Sequence, residues 1–452
     1  MTPASSLTAA YRVGRTTPRD VAERALAAIA SLDRGEVPLR AFIAVHEAEV
    51  RAQADAATAR WRAGAPRGPL DGVPIGVKDE FDIAGFKTTS GTSFLGGEPA
   101  TRDALAVARL KEAGAVILGR TNMAELGVHP TGLNLTYGIA RNPWDLGRDT
   151  GGSSSGSGAA VAAGLCPIAL GNDGGGSIRI PAALCGVTGL KGTWDRFPTD
   201  GVSMLCWSLE HSGPLGVTVE DVRIAFEICT GEPFTLPSVT KPRLGVCRAW
   251  WEGADAELVR VVDAALDRLV RDGRAELVEV ALPYVDYATP VGMCTFLAEG
   301  AAALERWLDG DAAFSPAVRL AFDGIRGVSA PSYVKTQRVR GLVVRDFDEA
   351  LWRCDALVSP TTGMAAPPYL DDALAHGELD EAKIATLVHF TFPSNLTGLP
   401  AASVPCGYTA AGLPVGMQIV TPRGADALAL AIAASVEATT ERRRPATCVD
   451  LV

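Results

Sequence analysis

The residues with the most chemical promise are a serine after three glycines, a second serine in a glycine-rich loop, and a lysine. Gly174-Gly175-Gly176 runs directly into Ser177. Glycines leave successive backbone N–H groups unhindered, and such groups beside a nucleophile stabilise a developing oxyanion. A serine hydroxyl is a poor nucleophile until a base takes its proton. No local pattern positions a histidine for this, which leaves a lysine as the candidate. Lys78 ends the apolar run Val73-Pro74-Ile75-Gly76-Val77. Desolvation disfavours the ammonium form, and only the neutral amine is a base. On spacing alone plainer readings stay open: Lys78 as a strand-end surface lysine paired with Asp79, and the two loops as capped turns.

The second serine lies in Gly151-Gly152-Ser153-Ser154-Ser155-Gly156-Ser157-Gly158, followed by small residues to Gly164. Residues 152–156 match G-x-S-x-G, but that nucleophile elbow needs a strand immediately before it. Asn142-Pro143-Trp144-Asp145-Leu146-Gly147-Arg148-Asp149 cannot be a buried strand. A phosphate-cradling loop is a weaker reading still, because no G-x-x-x-x-G-K-[ST] occurs and no G-x-G-x-x-G follows a strand.

These loops must be held by a large scaffold. The periodicity predicts strands over 40–45, 72–78, 115–118, 167–170, 187–191, 243–247, 276–280, 356–359, 402–404 and 415–420. It predicts helices starting at Thr17-Pro18 and over 46–63, 101–114, 121–126, 153–164, 254–271, 297–308, 333–352 and 425–437, with another capped by Thr218. His46 is read as a helix-start residue. Residues 127–150 show little periodicity and read as a long loop. The alternation predicts an α/β fold: a large mixed, mostly parallel β-sheet core covered by helices on both faces.

Composition narrows the function classes. The chain has 452 residues, 47% hydrophobic and 21% charged, so a sizeable core is expected. A net charge of −10 disfavours nucleic-acid binding. Arg442-Arg443-Arg444 is the only basic run and reads as a solvated terminal face. Nine dispersed cysteines fit reduced thiols in a cytoplasmic protein. The five histidines show no metal spacing, so neither metal nor cofactor is expected. No signal peptide or membrane-spanning run is read.

Taken together, these stretches resemble the amidase signature family. The matching text is residues 72–79, then Gly119-Arg120-Thr121-Asn122-Met123-Ala124-Glu125, then residues 151–191. Ser212-Gly213-Pro214-Leu215 and residues 393–418 match later landmarks. The resemblance implies a single domain over 1–452, with a helical part at 1–65, a signature core at 69–215 and a variable helical substrate side at 290–350. It implies a Ser–Ser–Lys triad: Ser177 as nucleophile, Ser153 as bridging serine on a cis peptide, Lys78 as base. Backbone N–H groups of Gly174, Gly175 and Gly176 would form the oxyanion hole. Thr150 and Ser154 would hydrogen-bond around the triad, and Asp173 would brace the loop. The sequence departs from the family pattern at Ser155, Gly174, Gly192 and Glu210-His211; none is a triad member, and His211 is read as packing.

The implied reaction is hydrolysis of a small amide through a Ser177 acyl-enzyme. An aryl carbamate or urethane, an anilide or an ester fits the same triad. The resemblance extends to the A component of glutaminyl-tRNA amidotransferases, which releases ammonia from glutamine within a complex. That class has an Arg-Arg-Ile-x-Leu-Gly-Thr-like stretch, which is not visible at 318–332. A stand-alone amidase is therefore favoured over the amidotransferase class and over a non-catalytic binding module. Family analogy allows a homodimer. Pocket walls are expected at 123–137, 194–207 and 291–328. Met123, Leu126, Leu133, Tyr137, Trp207, Met293 and Phe296 would form an apolar or aryl-accepting cleft.

Overall fold

A computed structural model describes residues 1–452, apart from the side chain of residue 371. In chain order its strands are β1 (Phe42–Val45), β2 (Pro74–Lys78), β3 (Val116–Thr121), β4 (Arg141–Asn142), β5 (Asp145–Asp149), β6 (Ile168–Asp173), β7 (Thr188–Lys191), β8 (His211–Gly216), β9 (Arg243–Val246), β10 (Glu276–Glu279), β11 (Ala356–Pro360), β12 (Ala401–Tyr408) and β13 (Pro414–Val420). Eleven of them form one sheet in the order β1-β3-β2-β6-β8-β7-β12-β13-β11-β9-β10. β4 and β5 form a separate pair.

The sheet is mixed, with helices on both faces, as the alternation predicts. Parallel pairing is confined to β3-β2-β6 and to β11-β9-β10; the other six neighbour pairs are antiparallel. Connection length accounts for part of this. β12 turns back into β13 over a short loop, whereas helices Leu105–Glu112 and Ser155–Ala162 carry the crossovers around β2. Parallel neighbours need such crossovers; antiparallel ones do not.

The three parallel strands beside β8 position the chemistry. β2 and β6 are buried at every residue. They run in register, with Val77 beside Leu170. Their carboxyl ends therefore finish at one edge, bringing Lys78 next to the loop that follows Asp173. β8 runs antiparallel to β6 with His211 opposite Asp173, so the residues entering β8 reach the same edge.

Several boundaries differ from the sequence expectations. The expected helix over 121–126 is absent: Thr121 ends β3, and only the short 3-10 turn Glu125–Gly127 follows. The backbone there is taken up by neighbouring segments instead: the N–H groups of Asn122, Ala124 and Leu126 donate to the carbonyls of Ala41, Ser153 and Ser90. Residues 127–150 contain the β4–β5 pair. Helices Pro316–Arg326, Glu381–Val388 and Phe392–Thr397 and strand β8 were not expected. Among the described residues, no helix is long and apolar enough to cross a membrane.

Helix Ser155–Ala162 explains its own composition. All eight residues are buried. A Cβ on Gly156 would collide with the Ala41 carbonyl oxygen and the Asn122 nitrogen. Small residues let this helix press onto the backbone between the two serine loops. Gly156→Ala should therefore destabilise the fold by about 1–3 kcal/mol, the usual cost of overpacking, despite alanine's helix propensity. A lower denaturant midpoint at unchanged slope would show this.

Candidate active site

Lys78, Ser153 and the loop after β6 meet at the edge described above. Lys78 is 1% exposed. Its Nζ donates to Ser153 Oγ at 2.8 Å and to the Asn172 carbonyl at 3.3 Å. The Gly152–Ser153 peptide is cis. The Ser154 N–H donates to the Ser177 carbonyl at 3.2 Å, which ties the two serine loops together. Ser154 Oγ also bridges to Asn172, donating to its carbonyl at 3.2 Å and accepting from its N–H at 3.3 Å. Ser177 lies at the base of a narrow cleft walled by Gly127–Pro130, Gly175, Met293, Phe296, Ile384, Val388 and Phe392.

The expected oxyanion donors divide. The Gly176 N–H donates to Asp173 Oδ1 at 2.7 Å, so it is already engaged. The N–H groups of Gly174, Gly175 and Ser177 make no hydrogen bond among the described residues. The free N–H groups among the described residues of this loop are therefore those of Gly174, Gly175 and Ser177. Gly176 instead takes a φ of +136°, and a Cβ there would strike Thr391 and Ile180.

Asp173 braces this loop as a carboxylate. It also accepts from the Ile178 N–H at 3.1 Å, and from Arg179 Nη2 at 2.8 Å and Nε at 3.0 Å. Burial works against its charge. The Arg179 guanidinium, with Lys191 and Asn395, outweighs burial and holds the carboxyl well below the usual range. Arg179 is itself fully buried and reaches Ser394, Asn395, Gln418 and the Thr391 carbonyl. Thr150 Oγ1 donates to the Gly151 carbonyl at 2.9 Å, at the start of the first serine loop.

Other ionisable groups gather nearby. Glu80 Oε2 lies 2.9 Å from Lys78 Nζ. Asp79 turns away to Arg120 and Thr89, so the pairing of Lys78 with the next residue does not form. Glu210 accepts from Asn172 Nδ2 at 3.0 Å and from the Leu205 and Cys206 N–H groups at 2.9 Å. Burial, then the Glu80 charge, push Glu210 up to about 7. His211 keeps Nδ1 against the Leu209 carbonyl at 2.6 Å, and burial holds the ring neutral. Glu80, Asn172, Arg179, Asn395 and Gln418 were missed by sequence reasoning. Glu80 sits two residues after Lys78 and was the one within reach of a local argument.

Of the expected pocket residues, the structure brings Met293 and Phe296 to the Ser177 cleft. Met123 and Leu133 are buried away from it. Leu126 lines a different cavity of about 540 Å3, behind Glu80. The Tyr137 hydroxyl reaches the Thr92 carbonyl, and Trp207 is 52% exposed; neither lines the cleft. The walls come instead from helices Ala288–Ala303, Pro316–Arg326 and Glu381–Val388, which enclose a cavity of about 650 Å3. That cavity shares Val128, His129, Met293, Ile384 and Val388 with the Ser177 cleft. His129 Nε2 is sealed without a partner among the described residues, and burial pushes the imidazole down to about 4.

The family model described as Amidase matches residues 21–430. A fatty acid amide hydrolase from Medicago truncatula is 35% identical, over 98% of this chain and 77% of that protein. The A component of the glutamyl-tRNA(Gln) amidotransferase of Roseiflexus sp. (strain RS-1) is 38% identical, over 90% of each chain. A crystal structure of an amidase superposes with a TM-score of 0.86 at 34% identity, covering 97% of this chain and 99% of that one.

Arg179→Met should cost about 3–5 kcal/mol, because it leaves Asp173 charged, buried and unpaired. Equilibrium denaturation would measure this. Thr150→Ala should cost about 1 kcal/mol or less, since it removes one hydrogen bond to an adjacent carbonyl.

Proposed function

Because this chain belongs to the amidase family and is a hydrolase of carbon–nitrogen bonds, we propose that it cleaves amides with an extended apolar group through a Ser177 acyl-enzyme. The observation that carries the mechanism is the buried 2.8 Å contact of Lys78 Nζ with Ser153 Oγ, beside the Ser177 loop. Neutral Lys78 takes the proton of Ser153, and Ser153 takes that of Ser177. Ser177 Oγ attacks the carbonyl carbon. The oxyanion rests on the N–H groups of Gly174, Gly175 and Ser177, which have no other partner among the described residues. The C–N bond then breaks. The leaving nitrogen takes a proton from Ser153, which regains one from Lys78. Water releases the acyl group by the same relay in reverse.

The cavity supports the substrate class. Its walls include Leu297, Leu320, Ala321, Ile325, Val328 and Ile384; among the described residues its ionisable side chains are His129, Glu378 and Glu381. None of these would pair with the carboxylate of free glutamine, which weighs against the amidotransferase reading. Fatty acid amide hydrolase is the name of a relative matched over nearly the whole chain. Each methylene buried in such a cavity contributes about 0.8 kcal/mol, or roughly fourfold in binding.

The test is a series of anilides with straight acyl chains of increasing length, alongside glutamine. kcat/KM should rise with length until the cavity is filled, and glutamine should be a poor substrate. Ser177→Ala and Lys78→Ala should each lose about 10³-fold or more. Ile325→Arg should depress the long-chain substrates about tenfold or more and spare the shortest, since it places charge in an apolar wall. Full activity in Ser177→Ala would overturn the mechanism; a preference for glutamine would overturn the substrate class.

A further inference from the structure

We propose that His129 is a specificity residue: it receives an uncharged hydrogen-bonding group, a hydroxyl or a carbonyl, on the acyl chain of the substrate, where the Ser177 cleft meets the helical cavity. This rests on the reading of that cleft and cavity as the acyl site. His129 is the one polar side chain common to both; the other shared residues are Val128, Met293, Ile384 and Val388. Its ring holds no protein group by a hydrogen bond among the described residues, and Nε2 is sealed from solvent as well. His211 and His389, by contrast, each hold a backbone carbonyl. A buried polar atom without a partner weakens a fold. Here the missing partner lies on the path of the acyl chain.

The chemistry of the ring fixes the kind of group it takes. Burial alone pushes the imidazole down, with no neighbouring charge contributing, so the ring is neutral near pH 7. A neutral imidazole carries one donor and one acceptor nitrogen. Which nitrogen holds the proton is set by the hydrogen bond the other makes, and here neither is committed. The ring can therefore donate to a carbonyl or accept from a hydroxyl. A charged group is not served: it would be stripped of water beside Met293, Phe296, Ile384 and Val388. Glu378 does not alter this, because it is held against Lys383, and Glu381 is exposed. The ring is also fixed in place relative to the reacting serines. On one side of it the Pro130 carbonyl accepts from the Gly152 N–H at 2.9 Å. On the other, Gly127 packs so tightly that a Cβ there would lie 3.3 Å from Ser153 Oγ. An acyl chain on Ser177 thus brings one or two particular carbons to His129, and its apolar remainder continues into the cavity.

The test is a positional scan. Anilides of one acyl length, unsubstituted or with a single hydroxyl or oxo group at successive carbons beyond the carbonyl, are compared by kcat/KM in wild type, His129→Phe and His129→Leu. In wild type, one position or two adjacent ones should favour the oxygenated chain over the plain one by about fivefold. At the other positions the oxygenated chain should be the poorer, since its polar group is buried without a partner. In both variants the favoured position should disappear and the plain chain should win throughout. His129→Gln, which keeps an uncharged donor and acceptor, should retain part of the preference. If thermal melting shows the Phe and Leu variants to be unfolded, the ring 15N shifts of His129 in the wild-type protein decide. They should move when Ser177 carries a hydroxylated alkyl phosphonate and stay in place with the plain one. No favoured position in wild type overturns the proposal, as does one that persists in a folded Phe or Leu variant, or ring shifts that do not distinguish the two labels. A kcat/KM that fails to rise with the length of the plain chain would instead refute the acyl-site reading, a separate result.

Discussion

A guanidinium with no exposure to water must find a partner for every N–H, and the site is arranged around how Arg179 does so. Its side chain donates to both Asp173 oxygens, to the Thr391 carbonyl, and to Ser394, Asn395 and Gln418. An unpaired buried charge costs several kcal/mol, so none of these contacts is easily given up. The acceptors come from the end of β6, from the residues around helix Phe392–Thr397 and from β13. One residue thereby joins parts of the chain more than two hundred positions apart. The effect passes to Ser177 through Asp173, which holds the N–H groups of Gly176 and Ile178 on either side of it. The position of Ser177 is thus set by a buried charge pair beside it.

At the neighbouring strand end, charge is treated differently. Arg179 is fully compensated and fixed. Lys78 is held by one carboxylate and two neutral oxygens, with a second carboxylate beyond Asn172. The two buried basic side chains, one ending β2 and one just beyond β6, are partnered differently. Arg179 cannot be deprotonated in a protein, whereas a lysine amine can.

This division also explains what was legible in the sequence. That Lys78, Ser153 and the Ser177 loop come together could be read because each sits beside an apolar strand or a glycine-rich turn, and such punctuation is local. Of the N–H groups expected to be free, that of Gly176 is engaged. A glycine run marks free N–H groups but does not reveal that the Asp173 carboxylate claims the one at Gly176. Asn395 and Gln418 were invisible as partners, since nothing in a local pattern says which distant polar residue meets a buried arginine. Trp207 and Tyr137 misled for a related reason: hydrophobicity marks a residue as fit for a pocket, but not the direction it faces. The boundaries of β2 and β6 were close to those expected. The helix expected at 121–126 was not there, because the backbone N–H groups of Asn122, Ala124 and Leu126 donate to carbonyls of distant segments, which no local pattern reveals.

The two halves of the site are built from different material. Lys78 and the Ser177 loop stand at strand ends, inside a sheet with fully buried strands. The apolar cavity is walled by helices Ala288–Ala303, Pro316–Arg326 and Glu381–Val388, which lie outside that sheet. Sheet strands are fixed by hydrogen bonds to both neighbours; surface helices are fixed mainly by the side chains they bury. Substituting a cavity-facing side chain on those helices changes the space available to substrate without disturbing the ladder that carries Lys78 and the Asp173–Ser177 loop. The sheet edge that carries Lys78 and Ser177 is therefore insulated from changes in the walls of the helical cavity.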